Sequence, residues 1–118
     1  KTMSTRANIV IKDGNEELWF YRHSDGYPEG AMPLLEKFMN AVKDKTTRNN
    51  ITQASGWLIL LGAEEYKVRA DFTHENYKGI REKDWKVGSI EPTTGRHGDI
   101  EYLYTLDLET KTIKAEEV

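Results

Sequence analysis

An alternating stretch near the C-terminus is the feature that most constrains the fold of this chain. Its apolar residues Ile100, Tyr102, Tyr104, Leu106 and Leu108 alternate with Glu101, Leu103, Thr105 and Asp107. Successive side chains of a β-strand point to opposite faces of a sheet, so this period of two predicts a half-buried strand over residues 100–108. A sheet containing such a strand must bury one face against a second layer.

Further strands are predicted at both ends of the chain. They cover residues 7–12, 17–23, 85–91 and 112–116. The first two flank the turn sequence Asp13-Gly14-Asn15, which predicts an opening β-hairpin. Large apolar side chains fall on both faces of the 17–23 segment, which indicates a strand in the interior of the sheet. Pro92 is expected to end the 85–91 strand because proline cannot donate a ladder hydrogen bond.

Two helices are predicted between these groups of strands. The first begins near Pro33 and ends near Asp44, on the helical spacing of Leu34, Leu35, Phe38, Met39, Ala41 and Val42. The second begins at Asn50, which forms a capping-box pattern with Gln53, and continues through Tyr66. It is apolar nearly all round, and the alternative for its middle is a buried strand over 57–61. The helix is favoured because no turn signal interrupts the pattern at Gly56.

The predicted fold class is therefore α+β, as a single domain over residues 1–118. The element order is β-β-α-α-β-β-β, with an antiparallel sheet of about five strands and two helices packed on one face. Residues 68–84 show no clear period and are expected to form an exposed excursion. The opposite face of the sheet is free to meet solvent or a second subunit.

Composition excludes several classes of function. The net charge of −3 argues against broad binding to nucleic acid or to an anionic membrane. The chain has no cysteine, which excludes disulfides, thiolate nucleophiles and cysteine-bound zinc. It lacks an apolar run of membrane-spanning length and an apolar signal-peptide core. We expect a soluble cytoplasmic protein.

The densest group of chemically capable side chains follows the second predicted strand. His23, Asp25, Tyr27 and Glu29 lie within seven residues. A histidine beside a carboxylate can serve as a general base, with the carboxylate orienting the ring. The alternative is turn chemistry, because Asp-Gly and Tyr-Pro pairs are typical of tight turns, with the glycine at positive φ.

A second candidate is the loop over residues 93–99. Arg96, His97 and Asp99 lie there beside two glycines, an arrangement able to hold an anion. The glycine spacing matches no phosphate-binding fingerprint, and a plain flexible loop is the alternative. His23 and His97 would share a site only if both loops lie at the same end of the sheet. The three histidines come from separate segments without metal-ligand spacing, so neither a metal nor a cofactor is expected.

Five blocks of the sequence form a recognisable set: Ser4-Thr5-Arg6-Ala7-Asn8-Ile9, Tyr21-Arg22-His23-Ser24-Asp25-Gly26-Tyr27-Pro28, Gly56-Trp57-Leu58-Ile59, Glu91-Pro92-Thr93 and His97-Gly98-Asp99-Ile100-Glu101-Tyr102. These blocks resemble small uncharacterised proteins encoded by bacteriophages, prophages and their bacterial hosts. The resemblance spans most of the chain and implies a phage or mobile-element context in a bacterial cytoplasm. It brings no established activity and assigns no residue roles.

These observations lead to one expected function and two alternatives. We expect a non-enzymatic protein-binding module that acts on a host component, since no recognisable catalytic set is present. The first alternative is a small-ligand binder or hydrolase-like enzyme that uses the 23–29 and 95–99 loops. The second is a homodimer built on the exposed face of the sheet.

Overall fold

The fold class is α+β, as the sequence predicts. A computed structural model describes residues 4–67 and 88–118, and this part contains five strands and two helices. In chain order they are β1 (Ala7–Asp13), β2 (Glu16–Arg22), α1 (Pro28–Lys43), α2 (Ile51–Glu65), β3 (Glu91–Thr93), β4 (Tyr102–Asp107) and β5 (Thr112–Glu117). The strands form one sheet in the order β3-β2-β1-β4-β5, so β2 is an interior strand, as predicted.

The sheet is mixed, and the prediction of a purely antiparallel sheet is wrong. β1 and β4 pair in parallel, with Ala7 opposite Tyr102 and Lys12 opposite Asp107. The other neighbours are antiparallel. The reason lies in the connection after β3, because residues 94–101 run back across the sheet and bring β4 in beside β1 from the same end. Parallel neighbours need such a crossover, whereas the local hairpins do not.

The predicted third strand is wrong in its position. β3 contains Pro92 at its centre, opposite Phe20 of β2, and residues 88–90 precede the strand. Proline is tolerated there because, among the described residues, β3 is an edge strand with no neighbour on its outer side. Residues 85–87 and the excursion predicted over 68–84 lie outside the described residues.

α1 begins five residues earlier than the sequence predicts. Pro28 supplies the first helical position, where its missing N–H costs nothing, and Pro33 lies inside the helix. α2 confirms the helix over the alternative strand at 57–61. Its Asn50 cap accepts a hydrogen bond from the Gln53 N–H at 3.0 Å, as the capping pattern predicts.

Both helices pack on one face of the sheet. The buried core there joins Ala7, Ile9 and Ile11 of β1, Phe20 of β2, and Tyr104 and Leu106 of β4 to Leu35 and Phe38 of α1 and Ala54 and Leu58 of α2. Alternation sends the neighbouring residues of each strand to the opposite side. No helix in the described residues lies on that opposite side, which we term the open face.

Candidate functional site

The loop over residues 94–101 lies on the open face, where it crosses β2 and β1. The backbone N–H of His97 donates to the Asn8 side-chain oxygen at 2.7 Å. Asn8 is fully buried, and its amide nitrogen donates to the Phe20 carbonyl at 2.8 Å. At the far end the Glu101 N–H donates to the Arg6 carbonyl at 2.8 Å. These bonds hold the loop in one position against the sheet.

Tyr21 is the centre of a polar cluster between this loop and the sheet. Its ring stacks on His97, with centroids 3.9 Å apart and planes at 17°. His23 meets the same ring edge-on at 4.6 Å. The Tyr21 hydroxyl donates to both carboxylate oxygens of Asp99, at 3.0 and 2.9 Å. The strand alternation and the loop therefore bring the two histidines onto one aromatic ring.

Edge strand β3 completes the arrangement. Glu91 contacts the Nε2 atom of His23, and the Thr93 hydroxyl lies 2.8 Å from the Nε2 atom of His97. Both β3 side chains point to the open face because they are two residues apart. We define the Tyr21 cluster as Tyr21, His23, Glu91, Thr93, His97 and Asp99. Arg6 lies beside it, with its Nε atom 3.5 Å from Asp99.

The electrostatics of the cluster keep Tyr21 protonated. Burial, followed by the hydrogen bond to Asp99 and the negative charge of that carboxylate, raises the pKa of Tyr21 to about 12. Its hydroxyl is therefore a neutral hydrogen-bond donor at physiological pH. It is unsuited to act as a base or as an anionic nucleophile.

The structure divides the predicted site residues into two groups. His23, His97 and Asp99 come together in the Tyr21 cluster, and Arg96 is an exposed residue of the same loop. The second group is Asp25, Tyr27 and Glu29, which lie at the start of α1 on the helix side of the sheet. The carboxylate that meets His23 is therefore Glu91 and not Asp25.

Asp25 has an architectural role in the connection between β2 and α1. It adopts the positive φ of 55° that the sequence suggested for Gly26. Its carbonyl accepts from the Nε atom of Arg22 at 3.1 Å, and the Tyr27 hydroxyl lies 3.5 Å from its carboxylate. Glu29 is an acidic residue in the first turn of α1, where it complements the helix dipole.

Arg22 fixes this connection from within the protein. Its side chain is 1% exposed and forms a bidentate pair with Glu65 of α2, at 2.7 and 3.1 Å. It also donates to the carbonyls of Asp25 and Gly30. Burial opposes ionisation of Glu65, but the hydrogen bonds from Arg22 prevail and the pKa of Glu65 is lowered. Arg22 thus joins β2, α1 and α2.

The sequence patterns did not identify three members of the cluster, namely Tyr21, Glu91 and Thr93. Tyr21 shares a face with His23 by simple alternation, and that signal was present. Glu91 and Thr93 carried no local signal, because their role depends on the pairing of β3 with β2, in which Glu91 lies opposite Tyr21 and Thr93 opposite Trp19, far apart in the chain. Long-range register of this kind is not encoded in any short motif.

A shallow concavity of about 410 Å³ lies on the open face beyond the cluster. Its apolar part is formed by Val10, Trp19 and Leu103. Its charged rim is formed by Lys12, Glu17, Asp107 and Lys114. Aromatic and aliphatic surface enclosed by charged groups is typical of contact surfaces in proteins.

Comparison of the chain with models of protein families, with curated proteins and with solved structures found no match. Within the described residues, there is no group of three or more His, Asp or Glu side chains that could hold a metal ion. Neither α1 nor α2 has the length and apolar character needed to cross a membrane.

Proposed function

We propose that this protein is a non-enzymatic binding module whose partner is another protein. The observation that carries the proposal is the pinned loop over residues 94–101. Together with the end of β2, the loop forms a preformed surface on the open face. The side chains of His23 and Asp99 are 59% and 51% exposed there. A surface that is already ordered binds with less loss of conformational entropy.

The internal bonding of the cluster favours binding over catalysis. The Tyr21 hydroxyl is bonded to Asp99, and the Nε2 atom of His97 lies within hydrogen-bond distance of the Thr93 hydroxyl. A catalytic base needs a free position within hydrogen-bond reach of its substrate. Here the polar groups mainly satisfy one another, and the neutral Tyr21 hydroxyl is already committed as a donor.

A host component in the bacterial cytoplasm is the partner we propose. The resemblance to phage and prophage proteins supports this context. The net charge of −3 favours a basic partner surface, such as one that binds nucleic acid in the host. Trp19, half-buried beside the cluster, and His23 are the proposed contact residues.

The test is site-specific photo-crosslinking in bacterial cells. A photoreactive amino acid at position 23 should capture one defined partner, whereas the same group at Leu60 should not. Leu60 is the matched control because it is 61% exposed on α2, away from the open face. The identified partner is then titrated against the purified protein, and His23→Ala should weaken its binding by about tenfold or more while Leu60→Ala leaves it unchanged. Equal capture at both positions would sink the proposal.

A second function is favoured by one specific contact. The pairing of Glu91 with His23 is the carboxylate–imidazole arrangement that orients a general base, and the ring is exposed to solvent. Under this alternative the protein binds a small ligand and acts on it as a hydrolase-like enzyme. Wild-type protein and His23→Asn are each incubated with a bacterial metabolite extract and followed by NMR. A compound consumed by the wild type alone would favour the enzyme over the binding module.

A further inference from the structure

The two edges of the sheet differ in their capacity to pair with a further strand. Among the described residues, β3 ends the sheet on one side and β5 ends it on the other. β3 is three residues long, and Pro92 at its centre has no N–H to donate. β5 is six residues long and contains no proline. A strand of this kind presents a row of N–H and C=O groups with which another strand can pair.

The backbone groups of alternate β5 residues point away from β4. The Val118 N–H donates to the Glu101 carbonyl at 2.9 Å, directly beyond the paired residues of the two strands. Bonded and non-bonded pairs alternate along an antiparallel ladder, so the even-numbered residues of β5 bond to β4. The N–H and C=O groups of Ile113, Ala115 and Glu117 therefore point outward from the edge of the sheet.

The side chains beside these groups leave the edge accessible. Ala115 is exposed and has only a methyl group, and the Lys114 side chain is 73% exposed. The register places Lys114 opposite Thr105 and Glu116 opposite Leu103, so both charged side chains point to the open face. The loop over 94–101 is anchored on β1 and β2, whereas β5 lies beyond β4.

Charge selects one register for the pairing of β5 with a second copy of itself. Two antiparallel copies that join their outward groups can be centred on Lys114, Ala115 or Glu116. Centring on Lys114 or on Glu116 sets two like charges directly opposite each other, which is destabilising. Centring on Ala115 sets Lys114 of each copy opposite the partner's Glu116. We propose that β5 pairs with β5 of a second copy of this chain in this register.

The resulting dimer has a two-fold axis perpendicular to the sheet at Ala115. Each contact occurs twice, as an isologous interface requires, and Ile113 lies opposite the partner's Glu117. Three bonded residue pairs that exchange two hydrogen bonds each give about six backbone bonds between the copies. A single strand pair is a small interface, so the dimer is reversible and depends on concentration.

The pairing goes beyond the proposed partner site and leaves that site free. The Tyr21 cluster lies on β2, β3 and the 94–101 loop, and β1 and β4 separate these strands from β5. The two sheets form one continuous sheet with a Tyr21 cluster near each end. Because all ten strands share one sheet, both clusters lie on the same face, so a dimer can engage a partner that carries two copies of the recognised surface.

Sedimentation velocity of the purified protein over a range of concentrations tests the proposal. The wild type should show a monomer–dimer equilibrium that weakens as salt is raised, because the two ion pairs are screened. Lys114→Glu and Glu116→Lys should each lower the association constant by about tenfold or more, since each sets like charges opposite one another at both contacts. Glu16→Lys is the matched control and should behave like the wild type, because Glu16 is exposed on β2, away from β5.

Mixing the two charge variants tests the register itself. A copy with Lys114→Glu and a copy with Glu116→Lys restore opposite charges at both contacts, so the mixture should dimerise at concentrations where neither variant does alone. The double variant, in which the two charges are exchanged, should also dimerise by itself.

Ala115→Pro tests whether the backbone carries the contact. The substitution removes an N–H that points outward, and proline is tolerated on an edge strand where that N–H faces solvent. The variant should stay monomeric while its urea unfolding remains cooperative. The charge variants leave the backbone unchanged, so they decide the matter if this variant does not fold.

Three results would overturn the inference. The first is a wild type that stays monomeric at every concentration. The second is a dimer that the charge reversals do not weaken or that the mixture does not restore. The third is a folded Ala115→Pro variant that still dimerises. The proposed partner site is tested separately by crosslinking at position 23, so the two proposals fail independently.

Discussion

Gly26 shows how a single residue determines the approach of the β2–α1 connection to the sheet. A Cβ atom at this position would lie 2.9 Å from the Ala7 Cβ atom and 2.9 Å from the Thr5 carbonyl oxygen. The Gly26 N–H donates to that same carbonyl, and its own carbonyl accepts from the buried Tyr104 hydroxyl. The residue is required here for close packing, whereas Asp25 supplies the positive φ of the turn.

Gly26→Ala should therefore lower the free energy of unfolding by about 1–3 kcal/mol, the usual cost of overpacking a core. Gly56→Ala is the matched control, because a Cβ atom there meets nothing within 4 Å and the residue lies inside α2. It should raise stability by about 0.5–1 kcal/mol through helix propensity. Urea unfolding measures both changes, and equal effects of the two substitutions would contradict the packing argument.

The raised pKa of Tyr21 predicts how the stability of the protein changes at alkaline pH. Its pKa in the folded protein is raised to about 12 from 10.0, so the folded state holds the phenol proton more tightly than the unfolded state. The resulting stability is fully present below pH 10 and is lost as the pH rises from 10 to 12. Tyr21→Phe should lose less stability than the wild type over that window, although it is less stable at pH 7. The pKa of Tyr104 is also raised to about 12, so its ionisation should cause part of the loss of stability in both proteins.

The measurement is urea unfolding at several values of pH between 8 and 12, on the wild type and on Tyr21→Phe. Parallel curves would show that the pKa of Tyr21 is not raised in the folded protein. Stability at neutral pH alone would not separate this effect from ordinary packing, so the pH dependence is the informative quantity.

At the scale of elements, the Arg22–Glu65 pair joins β2 to α2. Because the pKa of Glu65 is lowered in the folded protein, its carboxylate contributes stability at pH values above its usual pKa of 4.5. This stability is lost as the pH falls through the lower pKa of the folded state. Glu65→Gln should remove this acid-dependent step and also destabilise the protein at pH 7, because the buried Arg22 loses its charged partner. Helix content by circular dichroism during acid titration follows the step.

Glu64→Gln is the control for this experiment. Glu64 pairs with Lys37 at 3.2 Å, but both side chains are about two thirds exposed, at 69% and 65%. Such surface pairs contribute about 0–1 kcal/mol, so the control should titrate like the wild type. An acid transition that is unchanged in Glu65→Gln would show that other carboxylates control it.

The elements also show how far the sequence predicts the fold. Period-two and helical spacing located the opening hairpin, α2 and the final strand pair, because these depend on neighbours within a few residues. The start of α1 was misplaced because Pro28 and Pro33 both satisfy the rules for a first helical turn. The short β3 was misplaced because it pairs with β2, which is distant in the sequence, and a three-residue strand containing proline has no pattern of its own.

The candidate site was predictable to a similar degree. His23, His97 and Asp99 were selected by their chemistry, and the structure brings these three together on Tyr21. Asp25, Tyr27 and Glu29 were grouped with them by closeness in sequence, yet the turn after β2 sends them to the helix side of the sheet. The chemistry of the side chains identified reactive groups. Their closeness in the sequence did not determine the face of the sheet on which they lie.

At the scale of the whole molecule, the parallel pairing of β1 with β4 joins the two ends of the chain. Tyr104, Leu106 and Leu108 are fully buried, and the pairing places Tyr104 opposite Ile9 and Leu106 opposite Ile11 in the core. A fragment over residues 1–99 lacks these side chains and leaves an edge of β1 unpaired. It should therefore show no cooperative unfolding by itself, because a small domain has little stability to spare.

Adding a peptide over residues 100–118 should restore cooperative unfolding and helix content, since β4 and β5 form a local antiparallel pair that can dock as a unit. Circular dichroism across a peptide titration measures this recovery, and a peptide with Tyr104→Ser and Leu106→Ser serves as the control that should not restore it. If the 1–99 fragment unfolded cooperatively without the peptide, β1 and the helices would form a stable core of their own. The parallel pairing would then be an addition to the fold, whereas the burial of β4 beside β1 predicts that the fold depends on it.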